Sequence, residues 1–177
     1  MKKLTILILA LFVGIAANAQ LRYKGYADLF SGVTIPQANA ESGAYMGAST
    51  THGVNIIDGL FVGAGVEMGA VLYQDVYDYN KKELEYGAQV AAFAEGRYTF
   101  LNKRFSPFVT GRLGLGNGDY EDEVAFYAST LVGCTFNLTK KFGFDASMGY
   151  SLHTGKYGEY SGYGNISNIT FRLGIHF

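Results

Sequence analysis

The chain has 177 residues, which suits a single domain, and its 24 glycines far outnumber its 2 prolines. A formal net charge of −1 and 16% charged residues argue against a nucleic-acid-binding protein, which usually has a basic surface. The single cysteine, Cys134, excludes an internal disulfide and lies among apolar positions, as a buried inert thiol does.

The first twenty residues, MKKLTILILALFVGIAANAQ, have the pattern of a secretory signal peptide. Two lysines precede an apolar stretch, and Ala17-Asn18-Ala19 forms an A-x-A cleavage site. The apolar stretch is shorter than the roughly 20 residues that a spanning helix needs. We therefore expect a signal peptide at 1–19 and a mature domain at 20–177, with a retained membrane anchor as the alternative.

Eight runs of alternating apolar and polar residues follow, separated by turn sequences. A period of two indicates strands with one apolar and one polar face. The predicted strands are 21–35, 44–56, 60–73, 86–100, 105–116, 124–138, 142–153 and 166–177. Short links alternate with long ones, and the longest are 74–85 and 154–165. The pattern predicts an all-β fold, an eight-stranded antiparallel up-and-down barrel.

The second strand allows two registers because it alternates poorly. In one register, His52 faces outward together with apolar residues such as Met46 and Val54. The opposite register would bury fewer apolar side chains, so we favour the first.

The distribution of charge over the two faces distinguishes a transmembrane barrel from a soluble one. In seven of the eight strands the apolar face has no Asp, Glu, Lys or Arg. In a soluble barrel that face would line a ligand cavity and the charged face would meet water. Two features favour lipid outside: the charged face is rich in glycine, as a crowded lumen requires, and several apolar faces end in Tyr or Phe, as an aromatic girdle does. We therefore predict a transmembrane β-barrel.

The charged face places four basic and four acidic side chains inside the barrel, a few residues from the short-link end. Opposite charges at one level can pair, which a low-dielectric lumen favours because an unpaired buried charge is costly. We predict a salt-bridged plug, with a wet channel for small solutes as the alternative. The predicted network comprises Lys24, Asp28, Glu67, Glu95, Arg97, Arg112, Asp145 and Arg172.

Enzymatic chemistry has one weak candidate. Ser151 and His153 share a face, and Glu159 follows in the next link as a group that could orient the histidine. Alternation alone often produces Ser-x-His, so we predict no catalytic residue, and no metal or cofactor site either. The links 74–85 and 154–165 combine Tyr with Gly, Lys and acidic residues, which favours contact with an external partner; solvated loops are the alternative.

The leader ending Ala17-Asn18-Ala19-Gln20, the eight alternating strands and the closing sequence FRLGIHF (171–177) together resemble a known family. They are similar to the small outer-membrane β-barrels of Gram-negative bacteria, of the OmpA-transmembrane and OmpX kind. The resemblance covers the whole mature chain, and its features are patterns rather than a signature. It implies an outer-membrane location, with termini and short turns in the periplasm and outer-membrane lipid around the barrel.

The resemblance also implies partners and a role. In that family the last strand is recognised by the barrel-assembly machinery, which would give that role to the outward residues Phe171, Leu173, Ile175 and Phe177. We expect a monomeric, non-enzymatic structural or surface-interaction protein. The alternatives are a narrow porin-like channel and, with less support, an outer-membrane lipid-modifying enzyme.

Overall fold

The computed structural model describes residues 22–35, 43–78, 81–101, 103–117, 124–139, 141–156 and 163–177. Each strand pairs antiparallel with the next, and the last pairs with the first, so the sheet closes on itself. The predicted all-β, eight-stranded antiparallel up-and-down barrel is confirmed. The strands are β1 (Arg22–Ile35), β2 (Ala44–Ile57), β3 (Leu60–Asp78), β4 (Lys81–Thr99), β5 (Phe105–Asn117), β6 (Val124–Asn137), β7 (Gly143–Lys156) and β8 (Tyr163–His176).

Strand register sets the tilt and the width of the barrel. Starting at Tyr26 and stepping from each residue to its partner on the next strand, the path reaches Ile166 on β8. In the direct pairing of β1 with β8, however, Tyr26 lies opposite His176. The path around the barrel is therefore offset by ten residues along β8. For eight strands at ordinary spacing, this offset means a tilt of about 40° from the barrel axis. The lumen of such a barrel is just wide enough for side chains to fill it. No helix in the described ranges is long and apolar enough to cross a membrane.

Four strands, β3, β4, β7 and β8, extend several residues beyond one of their predicted ends. β3 continues to Asp78 and β4 begins at Lys81, its pairing partner, so most of the predicted loop 74–85 is a hairpin. In the same way β7 and β8 continue into the predicted loop 154–165, of which residues 157–162 lie outside the described part. Beyond Leu72, β3 has a described partner on one side only. Backbone hydrogen bonds between β3 and β4 continue there, whereas the predicted strand bounds were drawn from apolar alternation, which stops earlier.

The two faces of the sheet differ sharply in polarity. Among outward strand residues whose side chains the structure describes, none is Asp, Glu, Lys or Arg, and large apolar side chains such as Leu29 and Leu113 are more than 60% exposed. β2 has the first of its two registers, because Met46 and His52 are exposed while Thr51 is buried.

Aromatic rings inside the barrel lie against glycines of neighbouring strands. A Cβ atom on Gly47 would be 2.5 Å from Cζ of Phe30, and one on Gly65 would be 2.7 Å from Cζ of Phe93. Glycine at these positions therefore makes room for a ring that a larger residue would displace. This explains why the charged face of the sequence is rich in glycine.

Candidate functional site

The middle of the lumen holds five charged side chains, each more than nine-tenths buried, which we call the central cluster. Arg112 lies at its centre: Nε is 2.8 Å from Glu95 Oε2, and Nη2 is 3.0 Å from Asp28 Oδ2. Nη1 of Arg112 is 3.5 Å from Glu67 Oε2, which also lies 2.6 Å from Nη2 of Arg172. Because β1, β3, β4, β5 and β8 supply these groups, the cluster spans the lumen.

Hydroxyl groups complete the coordination of the three carboxylates. Glu67 accepts hydrogen bonds from Tyr45 Oη at 2.6 Å and Tyr127 Oη at 3.2 Å. Thr51 Oγ1 donates to Glu95 at 3.0 Å, and Ser49 Oγ donates to an oxygen of Asp28 at 3.2 Å. The central cluster has two arginines and three carboxylates, so these four hydroxyl donors stabilise its excess negative charge.

A second group, which we call the turn-end cluster, lies closer to the short turns. Nη2 of Arg97 is 2.5 Å from Asp145 Oδ1 and 2.8 Å from Thr135 Oγ1, and Thr135 also donates to the same carboxylate oxygen. The other oxygen of Asp145 is 3.0 Å from Nδ1 of His176. The sequence placed Asp145 and Arg97 inside the barrel but gave no indication that Thr135 and His176 would join them.

Each interior arginine also packs on an aromatic ring. A planar guanidinium stacks well on the face of an aromatic ring, and this contact is more stabilising where water is excluded. The stacking fixes the orientation of the donors that reach the carboxylates. The distances from guanidinium carbon to ring centroid are 3.5 Å for Arg97 on Phe108, 4.3 Å for Arg97 on Tyr26, 4.6 Å for Arg112 on Phe93 and 4.6 Å for Arg172 on Phe30.

Lys24 differs from the expectation of a single layer in which all eight charges pair. It is half-buried near the short-turn end, its Nζ lies 5.1 Å from the ring of Tyr26, and it makes no ion pair with any described carboxylate. The other seven predicted charges are all in ion pairs, divided between the central and turn-end clusters. A lysine close to the mouth of the barrel keeps access to water, so it does not need a partner.

Two of the candidate catalytic residues, Ser151 and His153, lie on the lumen side of β7. The hydroxyl of Ser151 is 3.1 Å from Thr170 Oγ1. His153 is buried between the rings of Tyr45 and Tyr127, with centroids 6.0 and 4.8 Å away. Glu159 lies outside the described residues. In the described part, no group of three or more His, Cys, Asp or Glu could hold a metal ion.

Three of the four residues predicted as the assembly signal lie on the outer face of β8, and the fourth, Phe177, directly follows the strand and hydrogen-bonds to the backbone of Gly25. Ile175 pairs with Ala27 and Leu173 pairs with Leu29, so this strand closes the barrel against β1. Phe171, Leu173 and Phe177 are exposed on the outside, and Ile175 is half-buried.

A closed eight-stranded barrel with an apolar exterior and a charged lumen has the fold of the small barrels of bacterial outer membranes. The crystal structure of neisserial surface protein A has this fold, with a TM-score of 0.55 and 15% identity over 87% of this chain and 95% of that one. At this identity the likeness shows the fold alone.

Two further solved structures are less similar. Outer membrane protein AlkL in lipid bilayers has a TM-score of 0.49 and 12% identity over 90% of each chain. The N-terminal barrel domain of Pseudomonas aeruginosa OprF has a TM-score of 0.44 and 16% identity over 89% of this chain and 100% of that one. No protein-family model and no curated protein sequence matches the chain.

Proposed function

We propose that this chain is a non-enzymatic outer-membrane β-barrel with a structural or surface-interaction role and a lumen closed by paired charges. The observation that carries the proposal is the inversion of polarity: the outward face of the sheet is apolar and exposed, whereas the ion pairs are buried inside. In water, so large a continuous apolar surface would drive association. In lipid it is the surface that a spanning barrel needs.

The predicted export signal at 1–19 belongs to this proposal and rests on its own sequence pattern. Recognition of β8 by the assembly machinery also belongs to it and rests on the family resemblance. The short turns lie at the same end of the barrel as the beginning of β1 and the end of β8. We place that end in the periplasm, with outer-membrane lipid around the wall.

The central cluster supports closure of the lumen because Arg112 connects carboxylates from three other strands. An ion would have to displace one of these charged partners in order to pass. We therefore expect the refolded protein to show no single-channel openings in a planar bilayer, and the Arg112→Ala variant to leak. Lys24→Ala is the matched control, since it removes an interior cation that has no described ion-pair partner, and it should stay silent. Steady openings of the unmodified protein would contradict the closed lumen.

A narrow channel is the second candidate, and buried polar atoms favour it. Gln89 Oε1, Ser129 Oγ and Asn168 Nδ2 have no hydrogen-bond partner among the described residues. Groups of this kind are commonly satisfied by internal water, and a continuous file of water would conduct. Steady small openings of the unmodified protein, insensitive to Arg112→Ala, would support this alternative.

A surface role is supported by the β3–β4 hairpin, which extends past the neighbouring strands. Tyr73 pairs with Glu85 and Asp78 with Lys81, while β2 pairs with β3 no further than Leu72. Beyond Leu72 this ribbon has backbone edges that no described strand pairs, and such an edge can accept a strand from a partner. We place a candidate contact for an external ligand here, in segment 74–85, and a second in segment 154–165.

The proposal excludes lipid modification as the function. Ser151→Ala and His153→Ala should leave the lipid composition of the host outer membrane unchanged. An altered acyl-chain profile in either variant, with the barrel still folded, would favour an enzyme instead.

A further inference from the structure

One side of the short-turn end carries a group of exposed cations and aromatic rings that the lumen does not use. We call it the turn patch: Lys103, Arg104 and Lys141 with Phe100, Phe105 and Phe136. We propose that the turn patch binds the phosphate groups of an anionic phospholipid in the leaflet around this end of the barrel. The inference rests on the proposed membrane location and adds a lipid preference to it.

Hydrogen bonds to backbone groups of Lys103 and Arg104 hold the first turn of the patch in place. Asn137 donates from its side chain to the carbonyl of Lys103 at 2.6 Å and from its backbone to the carbonyl of Arg104 at 2.8 Å. Ser106 Oγ accepts from Lys103 N at 3.1 Å and donates to the Lys103 carbonyl at 2.8 Å. The β4–β5 turn is thereby attached to the end of β6, beside the β6–β7 turn.

The second turn is braced in a similar way. Thr139 Oγ1 accepts hydrogen bonds from Lys141 N at 3.2 Å and from Phe142 N at 3.0 Å. In both turns the cationic residues contribute their backbone to the structure, and their side chains make no ion pair with a described carboxylate. The side chains of Lys103, Arg104 and Lys141 are therefore available to a ligand from outside.

The aromatic members of the patch set its level relative to a bilayer. Phe100 and Phe105 are 57% and 58% exposed at the end of the apolar wall, where an aromatic girdle meets the headgroups. Arg104 follows on the turn side and covers the ring of Phe136 at 5.0 Å. Cations just beyond such rings reach phosphate level while their stems stay in apolar surroundings. A phospholipid matches both parts, since its chains meet the rings and its phosphate meets the cations.

The patch is confined to one side of the barrel. The β2–β3 turn presents exposed Ile57 and Asp58 and no cation. Across the barrel β1 begins with exposed Arg22, and the next residue on the same face of the strand, Lys24, is half-buried in the lumen. This asymmetry distinguishes a localised lipid site from a general positive charge at one end, and it supplies a control.

Lipid selectivity measured by electron spin resonance tests the inference directly. The full barrel is reconstituted in phosphatidylcholine bilayers, and the motionally restricted fraction is compared for spin-labelled phosphatidylglycerol and spin-labelled phosphatidylcholine. A surface cation contributes roughly fivefold in attraction to an anionic lipid surface, so a severalfold preference for phosphatidylglycerol is expected. The preference should fall at least threefold in K103Q/R104Q/K141Q and in high salt, which screens exposed charges. R22Q should retain it.

The outcomes separate this inference from the proposed function. Equal restriction of the two lipids by the unmodified barrel, or an undiminished preference in the triple variant, would overturn the turn patch while leaving the membrane barrel intact. Failure of the unmodified protein to insert into either bilayer would overturn the proposed function itself. Circular dichroism of the variants checks folding, which the substitutions should preserve because the hydrogen bonds of the turns use only backbone atoms of these three residues.

Discussion

Arg112 shows what a single buried residue does in this lumen. Its guanidinium reaches Asp28, Glu67 and Glu95 through three different nitrogens, and it stacks on Phe93 at 4.6 Å. Only a planar fork of several donors can satisfy carboxylates that come from three directions, and an ammonium group on a flexible stem cannot. The identity of the cation therefore matters here as well as its charge.

Substitution of Arg112 should consequently have graded effects on stability. Arg112→Ala leaves three buried carboxylates with too little positive charge, and removal of one partner from a buried network typically costs about 3–5 kcal/mol. Arg112→Lys keeps the charge but loses some of the contacts, so its unfolding free energy should fall between those of the alanine variant and the unmodified protein. Equilibrium unfolding in guanidinium chloride, with the barrel in lipid vesicles, measures the order. An Arg112→Lys variant as unstable as Arg112→Ala would mean that geometry, not charge, decides.

Alternation in the sequence assigned these interior residues to the correct face but could not pair them. Arg112 is on β5 and Asp28 on β1, strands that are not neighbours in the sheet. Whether they meet depends on the ten-residue offset around the barrel, because it fixes the height of each strand. Tyr45 and Tyr127 were missed for the same reason, since a single strand does not reveal which carboxylate a hydroxyl faces across the lumen.

At the scale of strands, small residues decide how closely the wall approaches its contents. Gly65 on β3 faces the ring of Phe93 on β4, and an added Cβ would be 2.7 Å from Cζ of that ring and in collision with the carbonyl of Thr50. Gly111 on β5 has nothing within 4 Å of the same position. The two glycines thus play different parts: the first makes space for a ring, and the second occupies open surface.

This contrast predicts opposite outcomes for the same substitution. Gly65→Ala should destabilise the barrel by roughly 1–3 kcal/mol, because an overfilled interior must shift the ring or the backbone. Gly111→Ala should leave the stability unchanged or raise it slightly, since alanine restricts the unfolded chain more than glycine does. Unfolding free energies of both variants in the same vesicles provide the comparison. Equal losses would indicate that strand propensity rather than ring contact explains the glycines.

The ends of strands were harder to predict than their existence. Alternation predicts β3 up to Tyr73, because one face is apolar and the other polar as far as that residue. From there to Asp78 the strand continues with β4 as its one partner among the described strands, and the backbone ladder needs no apolar side chain. Hydrophobic periodicity reports burial of a face, so it ends where the barrel wall ends, even when the ladder does not.

Across the whole molecule the apolar side chains face outward and the charged ones inward, which is the reverse of a soluble protein. Substitutions at two exposed leucines test whether lipid surrounds the outward face. Leu113 lies on the outer face of β5 and is 62% exposed, while Leu138 is 48% exposed in the β6–β7 turn. If lipid surrounds the wall, Leu113→Arg places a charge within the hydrocarbon, whereas Leu138→Arg places one near the headgroups.

Arginine on the lipid face of a barrel costs about 2–4 kcal/mol near the middle of the bilayer and about 0–1 kcal/mol near its surface. Folding free energies in vesicles should therefore drop markedly for Leu113→Arg and hardly at all for Leu138→Arg. A soluble barrel predicts a different result, because an exposed arginine in water replaces an exposed leucine without a penalty at either site. Equal, small effects of the two substitutions would place the wall in water and make the charged lumen an ordinary ion-paired core. A large difference between them would show that the outward face is solvated by lipid, since depth is the main respect in which these two positions differ.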